Sequence, residues 1–238
     1  MFNIKAFKYI FLLIIFFVQI VFINSCAESN DKNILNEGEI EFEIKYLENE
    51  RENPLISLLP RKMITIFKNN STHSLIEGFW GTFKLIYITN HLKGQNVTLF
   101  QILDKKYMYL ADTSAAPFGY ESVTDVKFSF TEEVKNIAGY ECNHAFAIFP
   151  SSSDTVEVYY TDQLDIKNPN SNNPYSDICG VLLEFSVKMA GINMMFKAKK
   201  ITGREININK FNIPTGFKKV SKEEMEKIVN EYNKVTDK

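Results

Sequence analysis

The chain has 238 residues, a formal net charge of -2, 45% apolar and 24% charged side chains. That balance excludes a global basic field for holding nucleic acid. Ten Gly and seven Pro exclude a collagenous or low-complexity chain, and the length suits one sizeable domain.

Residues 1–26 read as an export signal. Lys5 and Lys8 make a positive start, an apolar run follows over 9–23 broken only by Gln19, and Ile23-Asn24-Ser25-Cys26 ends it. A positive start, a short apolar core and a small residue at the cut site define a secretory signal. The cysteine makes the segment resemble a lipobox, with Ile23 and Ser25 in pattern and Asn24 out of it. The resemblance implies lipid on Cys26 and cleavage just before it. An uncleaved membrane helix is the other reading, though the run is barely long enough for ~30 Å of hydrocarbon. The expected organisation is a signal peptide over 1–25, a tether over 26–37 and a single β-rich domain over 38–238. The expected address is the cell envelope, at the outer membrane, with the membrane a partner through the lipid.

Along the mature chain, 39–46 alternates strictly between charged and apolar residues, the pattern of a half-buried antiparallel strand. Residues 54–60 read as a turn or helical insert. Further strands are expected over 62–68, 72–79, 82–89, 97–103, 106–111, 126–131, 142–149, 155–161, 178–189 and 193–201, with a short one at 206–208. Asn69-Asn70 and Asp104-Lys105 supply turns. The Asn- and Pro-rich stretch 164–177 lacks any apolar period and is expected to be a functional edge or lid. Ser221-Lys222-Glu223-Glu224 is a capping box that starts the one clear helix, with Met225, Ile228, Val229 and Tyr232 at helical spacing.

Several strands are apolar on both faces, which a sheet with water on one side does not need. Either a second layer covers it, or it curls round an apolar cavity. Phe83, Leu85, Phe100 and Phe196 belong to such strands, and Met189, Met194 and Met195 suit a surface that adapts its shape. These seven are the candidate lining for an apolar ligand. Export also makes a Cys142–Cys179 disulfide a candidate, worth roughly 3–4 kcal/mol on the chain-entropy model. Two buried free thiols are the alternative.

The back half carries a pattern: Ile137-Ala138-Gly139-Tyr140-Glu141-Cys142-Asn143-His144-Ala145, Val156-Glu157-Val158-Tyr159-Tyr160-Thr161, Pro174-Tyr175, Gly180-Val181-Leu182-Leu183-Glu184-Phe185 and Phe211-Asn212-Ile213-Pro214. It resembles the envelope proteins of the GLPGLI type and, through them, the LolA-like lipoprotein carriers. Cys179-Gly180-Val181-Leu182 stands where the namesake motif would be. The resemblance implies a mainly β fold, a strongly curved antiparallel sheet or half-barrel with a C-terminal helix, holding acyl chains in its concavity.

Catalytic signals are sparse. His73, His91 and His144 lack metal-ligand spacing, and no nucleophile elbow, phosphate loop or dinucleotide fingerprint occurs. Cys142 and His144 share a strand face, but no third residue orients them. No catalytic residue, metal or cofactor is expected. The reading is a non-enzymatic envelope lipoprotein that binds a lipid or other apolar ligand. A structural or protein-interaction module of the outer membrane is the alternative.

Overall fold

The computed structural model describes residues 34–49, 51, 54–111, 118–119, 125–150, 154–189 and 192–235. Their strands are β1 (Glu37–Tyr46), β2 (Lys62–Lys68), β3 (Ser71–Gly78), β4 (Phe83–Asn90), β5 (Gln95–Ile102), β6 (Lys105–Ala111), β7 (Lys127–Ile137), β8 (Tyr140–Phe149), β9 (Asp154–Thr161), β10 (Val181–Met189), β11 (Ile192–Gly203) and β12 (Lys218–Lys219), followed by helix α1 (Lys222–Val235). One sheet holds them in the order β12-β6-β5-β4-β3-β2-β1-β11-β10-β9-β8-β7. It is two antiparallel meanders, β1 to β6 and β7 to β11, joined where β1 pairs with β11. Only β12, beside β6, runs parallel to its neighbour. The sheet is not closed into a barrel, since β12 and β7 remain its two edges.

Alternation decides which way each strand faces. In β1, Ile40, Phe42 and Ile44 turn inward and are buried. Glu39, Glu41 and Glu43 turn outward and pair with Arg204, Lys62 and Lys199 at 2.7, 2.6 and 3.4 Å. Asn69 and Asn70 both take left-handed backbone, φ 49° and 56°, the geometry that closes a two-residue hairpin between β2 and β3. Ala138 and Gly139, φ 52° and 90°, do the same between β7 and β8. Strand β7 runs on to Ile137 rather than ending at Thr131. A register shift between Phe130 and Val134 absorbs the intervening polar residues as an irregularity in the ladder.

The main core cluster draws on nine strands, β1 to β4 and β7 to β11. The stretch 164–177, expected as a functional edge or lid, adds apolar residues to it while most of its other side chains reach solvent. Leu164, Ile166, Tyr175 and Ile178 are buried there. The Tyr175 ring meets Phe128, Phe149 and Phe185 with centroids 6.4, 6.3 and 6.2 Å away. Asn170 pins the loop, donating from its side-chain amide to the carbonyls of Ile178 and Gly180 at 2.7 and 2.9 Å. A polar loop can be buried because its amides find partners within the loop.

The second layer that two-faced strands demand comes from the chain after β11. Ile206 and Phe211 pack on Ile64 and Ile66 of β2. Ile213 and Phe217 cover Ile86, Ile88, Val97, Leu99 and Met108 of β4 to β6. Residues 206–208, expected as a strand, instead begin this strap: the Asn207 side chain accepts from Asn209 N and caps a 3-10 turn over Ile208–Phe211. Glu37 fastens the strap, accepting from Ile206 N at 2.7 Å and from Lys68 Nζ at 2.9 Å.

At the far edge, Val220 turns back to the inner face and α1 follows. Glu224 N donates to Ser221 Oγ at 3.2 Å, as a cap should. The expected return contact from the N3 glutamate to the cap amide is replaced by a Glu224 ion pair with Lys218 at 2.9 Å. Met225 is fully buried, with Ile228 and Val229 alongside, against Phe83, Leu85, Phe100 and Phe118.

Candidate functional site

Polar residues occupy inward positions of β2 to β5 where the alternation calls for core. Thr65 shares its face with Met63 and Phe67, yet lies opposite Ser74, then Tyr87, then Thr98 across the neighbouring strands. Thr72 lies opposite Thr89 in the adjacent row. The Thr65 and Ser74 hydroxyls are 2.8 Å apart. Tyr87 OH donates to the Phe118 carbonyl at 2.8 Å, and Phe118 N donates to Thr98 Oγ1 at 3.2 Å. These rows face the Asn-rich loop across a cleft of about 130 Å³, lined by Thr65, Ser74, Tyr87 and Asn172 with Phe42 and Phe185 beside them. Hydroxyls, amides and aromatic faces in one small cleft suit a polar ligand with apolar faces, such as a sugar, better than an acyl chain.

The outer face of the other half carries a charged network. Glu184 on β10 accepts from Lys135 and Lys197, each at 3.0 Å. Burial raises its carboxyl, but the two lysines outweigh that and hold it below the usual range. The same Lys135 ammonium sits 4.2 Å over the Tyr159 ring. Tyr159 OH donates to Glu133 at 2.8 Å, and burial first, then Glu133, push that phenol up to about 12. His144 is buried between Phe146 and Tyr159, both ring centroids 4.7 Å away. Its Nδ1 lies 2.9 Å from Thr131 Oγ1, and its Nε2 has no hydrogen-bond partner among the described residues.

Cys142, two residues before His144, is a free, buried thiol. Burial pushes it up to about 11. A nucleophilic thiol is drawn the other way, toward the thiolate, so the Cys142–His144 face has no activated nucleophile. Cys142 is a free thiol, so the candidate Cys142–Cys179 bridge is not formed. Cys26 lies outside the described residues. Among the described residues no group of three His, Cys, Asp or Glu could hold a metal ion.

Six of the seven candidate lining residues belong to two adjoining core clusters, which share Phe83 and Leu85. Phe83, Leu85 and Phe100 lie under α1 and Phe118, with Phe83 and Phe100 edge to face at 5.8 Å. Met189, Met194 and Phe196 are in the main core, where Phe196 stacks on Phe185 at 5.3 Å. Met195 alternates to the opposite face of β11. Sequence reasoning missed the cleft. Its signal was a hydroxyl residue in an inward register: Thr65 between Met63 and Phe67, and Ser74 two before Ile76.

A third feature stands at the end of the sheet. Phe79–Gly81 makes a single 3-10 turn between β3 and β4, with Trp80 at φ 51° and ψ 39°. A left-handed residue other than glycine costs about 1–2 kcal/mol, and Trp80 is fully exposed besides.

An antiparallel β module with a polar inner cleft is thus the class that fold and site define. The model of a family described as "N-glycanase peptide, N-terminal domain" matches residues 86–189, a little under half of the chain. A solved structure described as PNGF-II in a C2 crystal is similar at 17% identity and a TM-score of 0.49. That likeness covers 81% of this chain and 32% of the other, so this chain spans about a third of that protein's length. No curated protein sequence matches. The family match corrects three expectations. The resemblance is to an N-glycanase domain, not to LolA-like carriers. The lipoprotein binding an apolar ligand gives way with it. The family is also named for an enzyme, against the non-enzymatic reading. The structure supplies a physical reason: part of the inner face that was to hold acyl chains is covered by the chain's own loop around Tyr175, and the cleft left beside it is lined with hydroxyls and amides.

Proposed function

We propose that this chain works in N-glycan processing, as the domain that holds the glycosylated segment of a glycoprotein in its inner cleft. The family match over 86–189 carries the reading. That span includes Tyr87 and Thr89 of β4 and the whole Asn-rich loop, and so most of the polar half of the cleft. The cleft's chemistry supports it. Thr and Ser hydroxyls and Asn amides can exchange hydrogen bonds with sugar hydroxyls and acetamido groups, while Phe42 and Phe185 offer apolar contact to ring faces. An exported location in the cell envelope, expected from residues 1–26, belongs to the same proposal.

Titration of the whole chain with an Asn-linked glycopeptide, and with the same peptide lacking its glycan, tests this. Binding of the first alone is expected. Ser74→Leu, which fills the cleft and removes a hydroxyl, should weaken it about tenfold. Equal affinity for the two peptides, or no binding of either, defeats the proposal. Release of free glycan, followed by mass spectrometry in the same mixture, reports whether the chain also cleaves what it holds.

A further inference from the structure

Trp80 is the chain's one tryptophan. It is fully exposed at the tip of the β3–β4 turn in left-handed backbone. Glycine or asparagine would make that turn without the steric penalty and without an indole in water. The indole is held out by its frame rather than by packing of its own. Below it the Pro60 ring lies so close to Gly78 that a Cβ there would meet its Cγ at 2.7 Å. Glu77 folds under Gly81, 2.8 Å from where a Cβ would stand, and pairs with Lys84 at 3.5 Å. Leu103 N ties the neighbouring hairpin to Thr82 O at 2.7 Å.

We propose that Trp80 is a second carbohydrate-contact site, a flat platform on which one pyranose ring of a glycan stacks while Glu77 and Lys84 take its hydroxyls. Among the described residues, the other exposed apolar ones at this end, Leu47, Leu58 and Leu103, stand on the β1–β2 connection and the β5–β6 turn. Those connections lie about two strand spacings away on either side, ~10 Å. The Glu77–Lys84 pair bridges β3 and β4 at the foot of the Trp80 turn. Charged groups are depleted from the dry centre of protein interfaces, so a broad apolar partner fits poorly. A single aromatic face with a carboxylate and an ammonium beside it fits a sugar: C–H bonds of one ring face lie on the indole, and edge hydroxyls reach the ions. Trp80 is outside the matched span 86–189. The inference takes its ligand class from the proposed function but not its location, and the two fail separately.

With one tryptophan per chain, indole emission reports Trp80 alone. On adding the Asn-linked glycopeptide to the full chain, emission should shift and acrylamide quenching should fall, with no change for the bare peptide. Trp80→Ala, whose side chain carries no packing, should stay folded by circular dichroism and bind the glycopeptide about tenfold more weakly. Unchanged emission at saturation, or wild-type affinity in Trp80→Ala, overturns the platform. If binding is lost in Ser74→Leu and intact in Trp80→Ala, the platform alone falls. If the wild-type chain binds no glycopeptide, both readings fall.

Discussion

Tyr175 donates its hydroxyl to the Ser186 carbonyl from a loop that covers part of the inside of the sheet. Its ring sits among Phe128 of β7, Phe149 of β8 and Phe185 of β10. One side chain thus holds the inner loop against three strands.

Tyr175→Ala removes a fully buried ring and should cost about 3–5 kcal/mol, the range for large-to-small aromatic changes in a core. Tyr175→Phe keeps the ring and loses one buried hydrogen bond, for about 1–2 kcal/mol. Urea unfolding measures both. Equal, small costs would mean that the loop is not part of the cooperative core.

Trp80 gives the opposite sign. Trp80→Asn places a residue that tolerates left-handed backbone where the indole is strained. Stability should rise by about 0.5–1 kcal/mol, and glycopeptide affinity should fall. A thermal scan beside the binding titration checks both. A loss of stability would show that the indole packs in solution.

Cys142 should resist thiol reagents in the native chain near pH 8 and react fully in urea, because burial holds the thiol near 11. A thiol whose folded value is raised adds stability that is present below its unfolded value, about 8.5–9. That contribution is lost as pH climbs toward 11, when the unfolded chain ionises first. Wild type should therefore lose stability over that alkaline window faster than Cys142→Ala does, as denaturant midpoints at several pH values would reveal.

Glu37 ties the outer strap to β1, in the middle of the sheet. Its hydrogen bond from Lys68, then that from Ile206 N, hold its carboxyl below the usual range. A carboxylate lowered in the fold gives stability that is present above its unfolded value, near 4.5, and is lost as pH falls below it. Amides of the strap, Ile206 to Phe217, should therefore exchange faster below that pH and in Glu37→Gln. Hydrogen exchange read by mass spectrometry would show it. Uniform protection at both pH values would detach the strap from this contact.

The strands were legible because their signal is local. Strand β2 falls on its expected 62–68, and of the turn or helical insert expected over 54–60 the structure forms a 3-10 helix at Pro54–Leu58. The cleft was not legible. Thr65 and Ser74 are ordinary strand residues until the register sets their hydroxyls 2.8 Å apart. The Asn-rich stretch looked like surface because it has no apolar period. Its burial depends on Asn170 reaching two carbonyls eight and ten residues on.

Alternation, turn residues and the Ser221 cap, each written within a few residues, determined from the sequence alone that this chain is a β meander ending in a helix. Only the tertiary structure decided what covers the two-faced strands: the Ile206–Phe217 strap outside, and the Tyr175 loop with α1 inside. Periodicity counts how many faces of a strand are apolar. It carries no information on which distant segment buries them, because that choice depends on how the curled sheet brings both meanders onto one core.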